Sequence, residues 1–197
     1  MARQRAFDRE AALESALLAF WRHGYEATSV AELTAAMDIR PPSLYAAFGD
    51  KRRLFEEAVR RYQETYGAFT TRALAEEPTG RRAVERVLRE AAAEYAHTDR
   101  PRGCLVITAA VNCGPESAEV EELLRGFREE AKAAIRRRID EDAAAGRLPP
   151  GTDTAGLATF YASVIQGMST QSRDGAAHED LLAVATLAMS AYPVTGT

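Results

Sequence analysis

The stretch GYEATSVAELTAAMDIRPPSLYAAFGDK, residues 24–51, decides the fold. It reads as two short helices joined by a tight turn. Ser29 precedes a helical run and Glu32 follows three residues later, the spacing of a capping box, with Thr28 as a second capping hydroxyl. Val30, Leu33 and Met37 form the apolar stripe of that run. Asp38-Ile39-Arg40 breaks it. Pro41 suits the first position of the next helix, where its missing N–H does no harm. Leu44 and Phe48, one turn apart, are predicted to point inward; Gly49 stops the helix and Asp50 caps the one that follows. Short helix, tight turn, short helix is the helix-turn-helix arrangement, in which the second helix of the pair lies in the DNA major groove.

That groove is about 12 Å wide and admits one helix, so the outward residues must be small or polar. Here they are Arg40, Pro41, Pro42, Ser43, Tyr45, Ala46 and Ala47. Tyr45 offers a hydroxyl to a phosphate or its ring to the groove wall, and Lys51 is placed to pair with a phosphate. The hydroxyls and amides around Thr28 and Ser29 form a second phosphate site at a helix N-terminus. The expected DNA contacts are therefore Thr28, Ser29, Arg40, Pro41, Pro42, Ser43, Tyr45, Ala46 and Lys51.

Upstream, Asp8 caps a helix to His23 that buries Leu13, Ala16, Leu17 and Phe20, with Gly24 as its left-handed stop. Downstream, a fourth helix buries Leu54, Phe55, Ala58, Val59 and Tyr62 and is expected to continue through Tyr66 and Phe69. Further helices are predicted at Arg81–His97, Ser117–Ala145, Thr154–Gln171 and Glu179–Tyr192, and the apolar segment 104–113 as one buried helix. Ala, Leu, Glu and Arg dominate and β-branched clusters are few. The prediction is an all-α chain: a three-helix helix-turn-helix DNA-binding domain over residues 1–50, and a larger helical effector-binding and dimerisation domain over 51–197.

At Gly24-Tyr25-Glu26-Ala27-Thr28-Ser29-Val30, at Ile39-Arg40-Pro41-Pro42-Ser43-Leu44-Tyr45-Ala46-Ala47-Phe48-Gly49-Asp50-Lys51 and at Leu54-Phe55 the sequence resembles the TetR-type (tetracycline-repressor) family of bacterial regulators. The resemblance covers about the first sixty residues. It implies a homodimer whose reading heads recognise a palindromic operator and release it on binding a small effector, with the last two long helices of each chain pairing as a four-helix bundle. Two departures are local. Asp38 stands where the family often has a turn glycine, and Ala46 and Ala47 stand at positions often aromatic or His.

Bulk properties set limits around this reading. The 197 residues are 46% hydrophobic and carry a net charge of -4. Residues 1–62 hold 10 Lys+Arg against 9 Asp+Glu, and the remainder 15 against 20, so the slight basic excess sits at the reading head. Met1-Ala2-Arg3-Gln4-Arg5 is basic but is not followed by the apolar run of a secretory signal, and no run is long enough to cross a bilayer; a cytoplasmic protein with no membrane partner is expected. His23, His97 and His178 are scattered, which disfavours a metal site; no phosphate-cradling loop, cofactor motif or activated nucleophile is evident, so no cofactor and no catalysis are expected. On one helix, Cys104 and Cys113 would lie about 13.5 Å apart along the axis, too far to bridge. The rival readings are a helical interaction module or an enzyme, neither binding DNA.

The body suggests two more sites. The apolar segment Leu105–Val111 and its flanking helices suggest a pocket for a small organic effector, with Tyr95, Thr108, Asn112, Phe127, Tyr161 and Gln166 as candidate contacts. The two broad apolar faces near the C-terminus suggest a twofold interface through Leu157, Phe160, Val164, Ile165, Met168, Leu182, Leu187 and Met189.

Overall fold

The computed structural model describes residues 7–109 and 113–194, and the described residues form helices and turns without strands. Helix α1 (Arg9–His23) is capped by the Asp8 carboxylate, which accepts from the amides of Glu10 and Ala11, and it ends at Gly24 with φ 82°. Helix α2 (Val30–Ala36) carries the expected capping box between Ser29 and Glu32. Asp38 makes the turn in the left-handed region, φ 52°, a conformation that Asp tolerates through its short polar side chain. Helix α3 (Pro41–Phe48) buries Leu44 and Phe48. Helix α4 (Lys51–Glu64) starts on the Asp50 cap and buries the five residues its pattern marks. The head closes as an aromatic cluster, with Phe55 edge-on to Phe20 at 5.0 Å and to Tyr25 at 5.0 Å.

α4 does not run on to Phe69. Thr65 leaves helical geometry, and the Gly67 amide folds back to the Tyr62 carbonyl at 2.8 Å. A Cβ at Gly67 would sit 2.7 Å from Gln63 Oε1 and 2.9 Å from the Tyr62 ring, so the break depends on a residue without a side chain. Helix α5 (Ala68–Glu76) then turns onto α6 (Gly80–Tyr95).

The expected helix over 104–113 is also corrected. Among the described residues of that segment, only Leu105–Thr108 is helical, as the short α7. Gly103, φ 75°, lies so close to α9 that a Cβ would meet the Ser169 carbonyl at 2.7 Å, while the Cys104 amide donates to Ser169 Oγ at 2.9 Å. At the other end the Ala109 carbonyl accepts from the Tyr25 amide at 3.0 Å, which draws it toward the head. The helix-rise argument for the cysteines therefore lapses; both are free thiols. α7 touches α1, α4, α8 and α9, and so forms the joint between head and body.

The body is completed by α8 (Ala118–Ala144), α9 (Thr154–Arg173) and α10 (His178–Met189). α6 is its centre, contacting α5, α8, α9 and α10. No helix among the described residues is long and apolar enough to cross a membrane.

Candidate functional site

The head presents α3 with its first turn in the open. Arg40, Pro41, Pro42, Tyr45 and Ala46 are exposed, Ser43 is half-buried, and Tyr45 keeps 50% of its surface. Prolines at the first two helical positions remove two amide donors from the start of α3. Any phosphate grip here must come from side chains, while the proline rings and the Ala46 methyl form an apolar surface of the kind that meets thymine methyls. Arg9 fastens this helix from behind. Its guanidinium stacks over the Phe48 ring at 4.5 Å and pairs with Glu57 at 2.6 Å.

Lys51 stands at the start of α4 with its ammonium 4.3 Å from the centre of the Tyr25 ring. Burial lowers its pKa from the ordinary lysine value, with Glu26 opposing. A lysine already partly withdrawn from water gives up less hydration when it meets a phosphate. Tyr25 escapes a sequence reading as a positioning residue, because nothing in the spacing shows that its ring lies under residue 51.

Thr28 is a correction. It is fully buried, and its hydroxyl donates to the Gly24 carbonyl at 2.6 Å, closing the turn after α1. Ser29 alone of that pair is exposed, and its hydroxyl already accepts from the Glu32 amide.

In the body, α4, α5, α6, α7, α8 and α9 enclose a cavity with about 600 Å³ of empty space, part of it open to solvent. Tyr95, Phe127 and Gln166 of the expected effector contacts line it. Thr108 does not; its hydroxyl donates to the Cys104 carbonyl and accepts from Arg173 at 3.2 Å. Tyr161 does not either. It is buried between α9 and α10 with its hydroxyl directed at the Ala188 carbonyl, 3.4 Å away, and burial pushes its pKa up to about 12. Asn112 lies outside the described residues. The sequence reading missed Tyr62 and Cys104, which meet Tyr95 at the deep end, and Arg128 and Lys132 on the α8 wall. Burial pushes the pKa of both phenols and of the thiol upward, so all three are neutral and the hydroxyls are donors. The one available signal for the cations is their i,i+4 spacing on a helix whose neighbouring charges are mostly acidic.

The residues expected at the twofold interface divide three ways. Phe160 and Leu187 are exposed, at 40% and 72%, together with Val184 at 39%. Leu157, Val164 and Leu182 are half-buried. Met168 and Met189 are buried in the protomer's own core, and Ile165 faces the cavity, so these three are corrected. A period of 3.6 marks an apolar face but not which neighbour covers it. Among the described residues, no group of three or more His, Cys, Asp or Glu side chains is placed to hold a metal ion.

Residues 12–58 match the family model for bacterial regulatory proteins of the tetR family, and residues 80–183 match the tetracyclin repressor-like C-terminal domain. The chain is 33% identical over 192 residues to the HTH-type transcriptional repressor ComR of Escherichia coli (strain K12), covering 97% of this chain and 91% of that one. It is also 33% identical over 187 residues to the HTH-type transcriptional repressor BdcR of the same organism, covering 94% and 89%. Among solved structures, a cysteine mutant of the TetR family transcriptional regulator CifR, complexed with 26-bp double-strand operator DNA, superposes with a TM-score of 0.92 at 45% identity over 98% of this chain and 100% of that one.

Proposed function

The chain belongs to the tetR family of bacterial regulatory proteins and is a DNA-binding transcriptional regulator rather than an enzyme; on that premise, we propose that it is a homodimeric cytoplasmic repressor, released from a palindromic operator by a small organic effector. The observation that carries the reading is the open face of α3, small and apolar at Pro41, Pro42 and Ala46, polar at Arg40 and Tyr45, and flanked by Lys51. Arg40, Ser43 and Tyr45 read or grip the groove, Lys51 and Ser29 hold backbone phosphates, and α3 of the partner subunit enters the next major groove about 34–36 Å away. The reading domain takes in residues 1–50 and the effector and dimerisation domain 51–197; α4 opens the second domain but packs against both, since Phe55 meets Phe20 in the head and Tyr62 lines the cavity.

Effector binding reaches the head by a short path. Cys104, Val106 and Ile107 of the cavity wall lie on or beside α7, the Ala109 carbonyl at its end holds the Tyr25 amide, and the Tyr25 ring carries Lys51. Arg173, at the end of α9, reaches the carbonyls of Trp21 and Arg22 at 3.4 Å, a second tie between body and head. A ligand that displaces α7 shifts the lysine, and a coupling of about 1–3 kcal/mol lowers operator affinity about 5- to 150-fold.

The test is titration of labelled operator, selected from random duplex DNA with the purified protein, at several salt concentrations. Lys51→Ala is expected to weaken all sequences alike and to lower the slope of log K against log salt by about one. Tyr45→Ala is expected to cost on the order of 1–3 kcal/mol on the selected sequence. If neither variant changes the titration, α3 and Lys51 are not the DNA face.

Tyr25→Leu gives a further prediction. It keeps an apolar filler against Phe20 and Phe55 but removes the ring beneath Lys51. Loss of one such contact corresponds to about a twofold to fivefold weaker operator affinity, with the salt slope unchanged because the lysine charge remains. A fall in the slope equal to that of Lys51→Ala would contradict this positioning role.

A further inference from the structure

Among the described residues, two cations and no carboxylate line the cavity, in a chain that carries four more acids than bases. From this bias we infer that the cavity takes a small monocarboxylate with an apolar body, its carboxylate at the mouth beside Arg128 and Lys132 and its apolar end toward Phe69 and Tyr95. The inference rests on the reading of this cavity as the effector site.

Arg128 and Lys132 stand four residues apart on α8, one above the other on the same face, and both are half-buried. Arg128 is fixed in place, because its Nη1 donates to the Val106 carbonyl at 3.0 Å. Lys132 touches Glu129 at 2.6 Å, but that carboxylate is 60% exposed, and such solvated pairs hold weakly. The ammonium can therefore turn to a carboxylate at the mouth without a large loss. The deep end has the opposite character. Tyr62, Tyr95 and Cys104 are neutral there, and a carboxylate placed among them would lose its hydration without a counter-charge. Aromatic and branched aliphatic walls at Phe69, Val106 and Ile135 suit a hydrocarbon body instead. An amine in place of the carboxylate would bring a third positive charge to the mouth, and a neutral group would forgo the charge-assisted contact.

The test is calorimetric titration of the full-length protein with two matched series: 3-phenylpropionate, 3-phenylpropionamide and 3-phenylpropylamine, then hexanoate, hexanamide and hexylamine. In at least one series the acid is expected to bind about tenfold tighter than the amide, with the amine weaker still. Lys132→Met is expected to bring the acid to within about threefold of the amide and to leave the amide unchanged. Its thermal melt and operator affinity report that the fold is intact, and Lys132→Gln serves as the second variant. The inference is overturned if amide or amine equals the acid, if neither acid binds at millimolar concentration, or if both lysine variants bind the acid as tightly as the parent. Operator titration alongside separates the two readings. An acid that binds through Lys132 yet leaves operator affinity unchanged supports this ligand class and overturns release. A neutral or cationic compound that releases the operator and competes for the cavity supports release and overturns the ligand class.

Discussion

Replacing Asp142 with alanine is expected to destabilise the protein by about 3–5 kcal/mol at neutral pH, the largest stability effect of any single polar substitution proposed for it. Asp142 is 1% exposed, yet it is charged. Its carboxylate accepts from the amides of Gly80 and Arg81, each at 2.9 Å, from the Tyr192 hydroxyl at 2.7 Å and from Arg147 Nε at 2.8 Å. It thereby caps α6, anchors the end of α8, and ties down the segment after α10. Burial by itself would raise its pKa, but the Gly80 amide, the Tyr192 hydroxyl, the Arg147 guanidinium and the Arg81 amide together outweigh that and hold it below the usual carboxylate range. A depressed pKa means that this stability is present above about pH 4 and is lost as pH falls through the folded-state value. Alanine would leave four donors without their acceptor, two of them backbone amides at a helix start that is closed to water at Gly80. Urea denaturation at pH 7 checks the magnitude, and a gap between parent and variant that narrows on acidification checks the cause. A loss under 1 kcal/mol at pH 7 would show that water replaces the carboxylate.

Legibility in the sequence follows from how local the determining physics is. Capping boxes, proline at a helix start and the Leu44–Phe48 spacing act within one turn, so α1 to α4 begin where Asp8, Ser29, Pro41 and Asp50 place them. Failures arise where a distant partner decides. Thr28 has the chemistry of a phosphate ligand, but the chain before it turns so that the hydroxyl meets Gly24. The segment after Cys104 has the composition of a buried helix, but Ser169 and Tyr25 hold the chain at Cys104 and Ala109, and between those two points the helix is only Leu105–Thr108. Tyr161 and Thr108 have the right types for pocket-lining polar groups, yet each satisfies itself against a neighbouring carbonyl. The cavity cations were legible only as a spacing, since no pattern along one helix says which side meets an empty space.

The head and body also divide the work differently in physical terms. The proposed contacts at the α3 face are single charges and exposed rings, whose removal is expected to cost at most about 1–3 kcal/mol each. The strongest lever on operator binding lies instead on the body, in whatever keeps two heads joined. Residues 154–172 and 181–194 contain no charged side chain, and on the outer side of α9 and α10 this leaves Phe160, Val184 and Leu187 exposed among alanine, serine and threonine. A clustered apolar surface without charge is what a stable interface needs and what a monomer avoids.

Leu187→Glu is therefore expected to separate the proposed dimer and to lower affinity for the full operator by about 10²–10⁴-fold, the gain that linkage of two binding heads supplies. Leu187 is 72% exposed in the protomer, so the substitution leaves the folded chain intact and its cost falls on association. Around a twofold axis each change is made twice, and glutamates introduced into an apolar interface lose hydration and repel one another. Ile165 is the wrong place for this experiment, because it faces the cavity and a charge there would disturb the proposed effector site. Sedimentation at micromolar concentration is expected to give a dimer for the parent and a monomer for Leu187→Glu, with the thermal melt of the variant showing a single folded transition. Binding to a duplex carrying one half-site is the control, since a head that is intact binds it as the parent's head does. A variant that sediments as a dimer and holds the full operator with parental affinity would exclude the α9–α10 face as the element that joins the two heads.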